Sequence, residues 1–147
     1  MVMLKKMRKY IKSNRKNKSY SSKLTWSSDF DVQKRIKKLL NKLNFKNFDY
    51  ERIYCLRSEN ANTRAIARIY GLSRVWQKVL NQKPAYIIEV VSEKFDRLSD
   101  SEKSKVLLHE IAHIPKNFSG SLVPHIRRGK RSFYLKLKNL IEFTDKE

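Results

Sequence analysis

The apolar residues between positions 31 and 43 recur with the spacing of an α-helix. They are Val32, Ile36, Leu39, Leu40 and Leu43. Basic residues occupy most of the remaining positions, namely Lys34, Arg35, Lys37, Lys38 and Lys42. This pattern predicts an amphipathic helix with one buried face and a basic outer surface.

Two later segments have the composition of strands. "YERIYCLRS" (50–58) is rich in aromatic and β-branched residues, and "PAYIIEVV" (84–91) starts at a proline and carries Glu89 as its only charge. The second segment predicts a largely buried strand, which lies either in the centre of a sheet or at an edge where a substrate could pair with it.

Three further segments show helical spacing. Residues 62–71 place Ala65, Ile66 and Ile69 on one face, with Gly71 as a C-terminal stop. Residues 73–80 form a short apolar stripe in which we expect Trp76 to belong to the core. A last helix is predicted over residues 131–143.

The helix with the clearest boundaries is predicted over residues 99–114. Ser99 and Glu102 form a capping-box pattern at its start, and Pro115 disfavours helix at Ile114. Its apolar residues point in almost every direction, which predicts that the helix is buried. They are Val106, Leu107, Leu108, Ile111, Ala112 and Ile114.

This buried helix carries two histidines four residues apart. His109 and His113 lie about 40° apart around the axis, so both imidazoles leave the same face and can bind one metal ion. Glu110 follows the first histidine directly, which places its carboxylate beside the metal and within reach of a metal-bound water. The His-Glu-x-x-His arrangement therefore predicts a zinc centre with Glu110 as the general base.

Catalytic zinc needs a third protein ligand that leaves one coordination position open. We favour His125, because Pro115 ends the helix, Gly120 permits a turn, and residues 115–124 are long enough to return over the helical face. Glu142 in the last predicted helix is the alternative. A donor that stabilises the oxyanion could come from Tyr134, Arg127 or Arg128.

The charge of the chain is strongly unbalanced, with 34 Lys+Arg against 14 Asp+Glu and a formal net charge of +20. Nucleic-acid phosphates are the natural partners of such a chain, and anionic membrane surfaces also attract it. Residues 1–28 contain no acid and are predicted to form a flexible basic arm, before a single domain at 29–147. We predict contacts with DNA or RNA from the arm and the first helix, through Lys5, Lys6, Arg8, Lys9, Lys12, Arg15, Lys16, Lys18, Lys34, Arg35 and Lys38.

Cys55 is the only cysteine, which rules out an internal disulfide and a thiolate zinc cluster and predicts a buried thiol. The basic start is not followed by an apolar run, so we predict no signal peptide and no membrane span. A cytoplasmic location is the expectation.

Three segments resemble the phage and archaeal metallopeptidases, small proteins related to the SprT-like zincins. They are "RAIARIYGLSRVWQ" (64–77), "YIIEVVSEKFDRLS" (86–99) and "LLHEIAHIPKNFSGSLVPH" (107–125). The resemblance implies an α+β fold, a minimal zincin with a small sheet flanked by helices. It also implies zinc bound by His109, His113 and His125, with Glu110 catalytic.

The leading hypothesis is therefore a zinc-dependent endopeptidase that hydrolyses a protein or peptide substrate, localised to nucleic acid by its basic residues. The second hypothesis is a nucleic-acid-binding protein whose zinc site is structural or vestigial. A third is a regulatory peptidase that cleaves one dedicated partner.

Overall fold

The computed structural model of the chain describes residues 22–126 and 133–146. Within these ranges the helices are α1 (Phe30–Leu43), α2 (Arg74–Leu80), α3 (Ser92–Phe95), α4 (Asp100–Ala112) and α5 (Phe133–Asp145). The strands are β1 (Thr25–Ser28), β2 (Ile53–Glu59), β3 (Ala67–Gly71) and β4 (Tyr86–Val91), and a 3-10 turn (Tyr50–Arg52) precedes β2. The protein is α+β, as predicted.

The four strands form one mixed sheet in the order β1-β2-β4-β3. β2 and β4 are parallel, whereas β1 and β3 pair antiparallel to their neighbours. β4 lies between β2 and β3, so of the two predicted positions for "YIIEVV" the central one is correct. The edge strand on the other side of β4 is β3.

One face of the sheet carries the hydrophobic core. Side chains alternate along β4, and Tyr86, Ile88 and Val90 point into a cluster that includes Leu107 and Ile111 of α4. α1 contacts β2, α4 and α5, while α4 contacts α5 and β3. This packing fixes α4, the helix that carries the two histidines, against the edge strand.

Several sequence predictions are confirmed. α1 begins after Asp29, whose carboxylate accepts a hydrogen bond from the Val32 N–H. β2, β4, α4 and α5 also occur where the patterns placed them, and α5 continues to Asp145. Cys55 is buried, and burial raises the pKa of its thiol to about 12.

Residues 62–71 were wrongly predicted as a helix, because Ala67–Gly71 is strand β3. Ala67 and Ile69 pair with Val90 and Ile88 of β4. These backbone hydrogen bonds and the burial on β4 outweigh the weak helical spacing of the isoleucines.

The assignment of Trp76 to the core was also wrong. Residues 74–80 form the predicted helix, but none of them is buried, and Trp76 is 59% exposed. α2 is not among the elements that pack closely against the sheet or against α1, α4 and α5. The apolar stripe Val75, Trp76, Val79 and Leu80 is therefore on the surface.

Strand β1 includes residues that the sequence analysis assigned to the basic arm. Thr25–Ser28 pair with β2, so the folded part of the chain starts before residue 29. The arm residues from Lys5 to Lys18 lie outside the described ranges.

Glu89 points away from the helices on the opposite face of the sheet, yet it is only 1% exposed. Its carboxylate accepts hydrogen bonds from Nη2 of Arg68 at 2.8 Å and from the Tyr70 hydroxyl at 2.8 Å. Burial favours the neutral form of Glu89, but the hydrogen bonds from Arg68, Ser58 and Tyr70 outweigh it and lower the pKa of the carboxyl. Glu89 of β4 therefore links the two strands through hydrogen bonds from side chains of β3.

We expect Glu89→Gln to reduce the free energy of unfolding at pH 7 by about 2 kcal/mol, because it removes the charged partner of the partly exposed Arg68. Since the pKa of Glu89 is lower in the folded state, its stabilisation is present above the unfolded pKa of about 4.3 and disappears as the pH falls through the folded value. Denaturant unfolding at pH 7 and pH 3 measures this. Glu59→Gln, at an exposed carboxylate of β2, is the control, and an equal loss at both pH values would contradict the prediction.

Candidate metal centre

Helix α4 has defined contacts at both ends. At its start the Ser99 hydroxyl accepts from the Glu102 N–H, while the Glu102 carboxylate accepts from the Ser99 N–H. Its last helical residue is Ala112, and His113 is the C-cap. Lys136 of α5 donates to the carbonyls of Ala112 and Ile114 at 2.8 and 2.9 Å, which satisfies carbonyls that the helix end leaves free.

The structure brings His109, His113 and His125 together at this end of α4. One ring nitrogen from each can be chosen so that all three lie within 4.8 Å of one another. The Nε2 atoms of His109 and His125 are 3.0 Å apart. Within the described ranges, these three residues are the group whose chemistry and spacing suit a metal ion.

The orientation of His113 is set by Val123. The Nδ1 atom of His113 lies 2.6 Å from the Val123 carbonyl oxygen, which can only accept, so Nδ1 carries the proton. Nε2 is then the unprotonated nitrogen that faces the other histidines. The Val123 N–H donates to the His113 carbonyl at 2.7 Å, so the two residues are joined by two hydrogen bonds.

The loop between α4 and His125 is held by the body of the protein. The Tyr86 hydroxyl of β4 donates to the Ser121 carbonyl at 2.9 Å and accepts from the Gly120 N–H at 2.8 Å. Gln77 of α2 donates to the Ser119 carbonyl at 2.9 Å. These contacts return the chain over α4, as the loop length suggested.

Gly120 is required at its position for two reasons. Its φ of +86° lies in the region that favours glycine, and a Cβ there would sit 2.1 Å from the Leu72 carbonyl oxygen. We expect Gly120→Ala to move the loop and to weaken metal binding about 10- to 100-fold, comparable to the loss of an outer-shell partner. Competition with a chromogenic chelator measures the affinity. Ser121→Ala, which keeps the backbone contacts, is the control, and an unchanged affinity in Gly120→Ala would contradict the role of the loop.

Phe133 forms an apolar wall for the three imidazoles. It is fully buried, and its ring centroid lies 5.0, 4.4 and 4.6 Å from those of His109, His113 and His125. The sequence analysis missed Phe133, Val123 and Lys136, because each acts through a contact between elements. In sequence they are an ordinary apolar residue of α5, a loop residue and one of many lysines.

The electrostatics of the site favour neutral imidazoles. Burial, together with the other histidines, lowers the pKa of His109. Burial also lowers the pKa of His113 against the opposing effect of the hydrogen bond to Val123. Neutral imidazole is the form that binds metals.

Glu110 is 8% exposed, and burial raises the pKa of its carboxyl to about 7. A metal cation beside it would favour the charged form and bring this pKa down.

The other sequence-predicted residues are placed differently. Glu142 is on the exposed side of α5, where it faces Lys138 at 3.7 Å, and it is not part of the histidine cluster. Tyr134 is 44% exposed, and its ring centroid is 6.2 Å from that of His125. Arg127 and Arg128 lie outside the described ranges.

A cleft of about 400 Å³ opens at the histidines and is called the metal cleft below. Its walls are four consecutive residues of β3, from Ala67 to Tyr70, together with His109, Glu110, His113, Leu122 and His125. The edge strand of the sheet therefore runs along the metal centre.

The model of a family described as "Putative phage metallopeptidase" matches residues 24–146. The chain belongs to this family. No curated protein and no solved structure matches the chain significantly.

Membership of a metallopeptidase family and the cluster of three histidines together indicate a metal ion. A metallopeptidase acts on a protein or a peptide, so the family also indicates the class of substrate. Among the described residues, no helix has both the length and the apolar character needed to cross a membrane.

The three histidines fit a metal of the first transition row. In a tetrahedral zinc site with Zn–N distances of about 2.0–2.1 Å, the ligand nitrogens are about 3.3 Å apart. The Nε2 atoms of His109 and His125 are 3.0 Å apart, close to this value, and one ring nitrogen of each histidine lies within 4.8 Å of the others. The three nitrogens are therefore close enough together to suit one ion.

Proposed function

We propose that the protein is a zinc-dependent peptidase in which His109, His113 and His125 hold the metal and Glu110 is the general base. The observation that supports this most is that the buried Glu110 lines the same cleft as the three converging imidazoles. Imidazole ligands suit zinc, and three protein ligands leave a position open for water or substrate. A structural site gains nothing from an open position with a carboxylate beside it.

A bound zinc ion would activate water and polarise the carbonyl of the scissile peptide bond. Glu110 would take one proton from that water while the water oxygen forms a bond to the carbonyl carbon. Glu110 would then deliver the proton to the amide nitrogen as the C–N bond breaks, giving a carboxyl and an amine. The apolar surroundings of Glu110 help both proton transfers, because burial raises the pKa of its carboxyl towards neutral pH.

The substrate would bind along β3. One side of this strand pairs with β4, and no described strand pairs with its other side. An extended peptide can add to such an edge through backbone hydrogen bonds, which places its carbonyls next to the metal cleft. β4 was one candidate for this role from its sequence, but its central position in the sheet leaves it no free edge.

Tyr134 is our candidate for stabilising the oxyanion. It follows the buried Phe133 on α5 and lies on the His125 side of the metal centre. We expect Tyr134→Phe to lower kcat about 100-fold with little change in metal content, as for the loss of one oxyanion donor. Steady-state kinetics test this, with Tyr54→Phe, on the far face of the sheet, as the control. A kcat within a factor of three of wild type would exclude Tyr134.

The proposed function is tested first by metal dependence. Wild-type protein treated with a chelator should lose cleavage of an unfolded protein substrate and regain it with one equivalent of zinc. A protein that binds no zinc, or whose cleavage is unaffected by the chelator, would contradict the proposal.

We also propose that the basic surface of α1 contacts nucleic acid. Lys34 and Lys38 are exposed and lie one turn apart, whereas Arg35 is engaged by Asp100 at 2.8 Å. Removing one phosphate-binding lysine should reduce the salt dependence of DNA or RNA binding by about one unit of slope. A double charge reversal, Lys34→Glu with Lys38→Glu, tests this by titration at several salt concentrations. Affinity and salt slope that match those of wild type would exclude the α1 contact.

The DNA-binding protein with a structural or vestigial zinc site is the competing function, and Glu110→Gln separates the two. The competing function predicts that wild type and Glu110→Gln bind DNA equally and that neither protein cleaves a protein substrate. A peptidase localised by nucleic acid predicts that cleavage of DNA-bound proteins depends on Glu110.

A further inference from the structure

A second cleft, of about 480 Å³, adjoins the metal cleft. The two clefts share Ala67, His109 and Glu110 in their walls. They therefore form one groove that is bordered by β3 and has Glu110 at its junction. A peptide lying along the edge strand would place the residue next to its scissile bond in this second cleft.

The walls of the second cleft are apolar and come from three parts of the chain. Ile66 precedes β3, Val106 belongs to α4, and Leu137 and Ile141 belong to α5. All four are partly buried and pack against the hydrophobic core. A large apolar side chain in this space would remove apolar surface from water on both sides, which favours its binding.

The rim of this cleft carries two positive charges. Arg64 and Lys105 are exposed, and neither has an ion pair within the described part of the chain. Glu110 is the only acid in the described walls. Glu102 on α4 interacts electrostatically with Lys105, but its carboxylate accepts a hydrogen bond from the Ser99 N–H and it is not in the walls of the cleft. A carboxylate of the substrate would be attracted here, whereas a substrate lysine would be repelled.

We propose that this cleft is a substrate subsite that takes a large apolar side chain next to the scissile bond, with a carboxylate beside that residue. The inference rests on the proposed peptidase function and adds the class of sequence that the peptidase prefers. The carboxylate can belong to an acidic side chain or to the free C-terminus of the substrate.

The first experiment uses the zinc-loaded full chain and a matched set of peptides. One position carries Phe, Leu or Ala, and its neighbour carries Glu, Gln or Lys, each with a free and an amidated C-terminus. We expect kcat/KM to be at least about tenfold higher for Phe or Leu than for Ala, as for apolar pockets generally. Glu should exceed Lys several-fold at low salt, and the difference should shrink as salt is added.

The two sources of the carboxylate are distinguished by the same set. If the preference for a carboxylate is the same in peptides with an amidated C-terminus, the rim binds acidic side chains. If amidation of the C-terminus removes the preference, the rim binds the C-terminal carboxylate. Equal rates for Phe and Ala, or equal rates across all the charge variants, would overturn the subsite.

Variants at the rim test whether Arg64 and Lys105 carry the preference. The double variant Arg64→Glu, Lys105→Glu should reverse it, so that Lys-containing peptides are cleaved faster than Glu-containing ones. Lys83→Glu, between α2 and β4 and in the wall of neither cleft, is the matched charge control. A double variant that retains the wild-type preference would overturn the proposal.

The failure of the subsite can be told from failure of the proposed function. Cleavage of an unfolded protein without any preference among the peptides overturns the subsite alone. If zinc-loaded wild type cleaves neither peptides nor unfolded protein, both proposals fall. Zinc content and thermal melting show whether each variant is folded before its rates are compared.

Discussion

Glu110→Gln is expected to abolish peptide hydrolysis while the protein keeps its metal. Glutamine has nearly the shape of glutamate, so the three histidines should retain their positions, but it cannot accept the proton of the attacking water. General acid–base catalysis contributes about 10²- to 10⁴-fold, and Glu110 would act in both proton transfers, so we expect a loss of at least about 1000-fold in kcat. Elemental analysis and cleavage of an unfolded protein measure the two effects.

The stability of this variant should not fall. Burial raises the pKa of Glu110 to about 7, which means that its charge is unfavourable where it lies in the metal-free protein. A neutral amide avoids that cost, so the melting temperature should equal or exceed that of wild type. Glu51→Gln, at an exposed carboxylate near α1, is the matched control and should retain full activity. Substantial cleavage by the Glu110→Gln variant would exclude Glu110 as the general base.

His113→Ala is expected to remove the metal. The substitution deletes one of three nitrogens and also the ring that packs on Phe133 and binds the Val123 carbonyl. Removing an outer-shell partner typically costs about 10- to 100-fold in metal affinity, and loss of a ligand should exceed this. Protein purified with limiting zinc should therefore contain far less than one ion per chain, as measured by elemental analysis.

The companion variants distinguish the two candidates for the third ligand. His125→Ala should lose metal as His113→Ala does, whereas Glu142→Gln should keep it, because Glu142 faces Lys138 on the exposed side of α5. Full zinc content in His113→Ala would contradict the proposed centre. Loss of zinc in Glu142→Gln, with zinc retained in His125→Ala, would reverse the choice of ligand.

Much of the fold could be predicted because local pattern and tertiary structure agree. α1 and α4 have both an apolar periodicity and a capping residue, so the sequence marks where they lie and where they begin. β3 shows the opposite case. Ala67 and Ile69 alternate with Arg68 and Tyr70 as in a strand, but the isoleucines also match a helical spacing. Only the pairing with β4 decides between these two interpretations.

The surface position of α2 could not be predicted for a related reason. Its stripe of Val75, Trp76 and Val79 has the periodicity of a packed helix, but periodicity does not say whether a packing partner exists. In the fold, α1 and α4 contact the sheet and α5 packs on both of these helices, whereas α2 packs closely against none of them.

The candidate site divides in the same way. One turn of α4 fixes the relation of His109, Glu110 and His113, so their spacing could be read directly from the sequence. The position of His125 depends on a loop that is held by contacts with Tyr86 and His113, which lie outside the loop itself. The apolar second cleft joins three elements, and nothing in the local sequence of any one of them indicates it.

The paired hydrogen bonds between His113 and Val123 bear on how the metal would be acquired. They connect the second histidine to the segment that presents the third, so the loop is ordered by the protein's own backbone. We therefore expect the metal to bind to a preorganised site, without folding of the loop being coupled to binding. Zinc should exchange reversibly from a chain that stays native throughout, and amide hydrogen exchange at Val123 should be slow before and after loading.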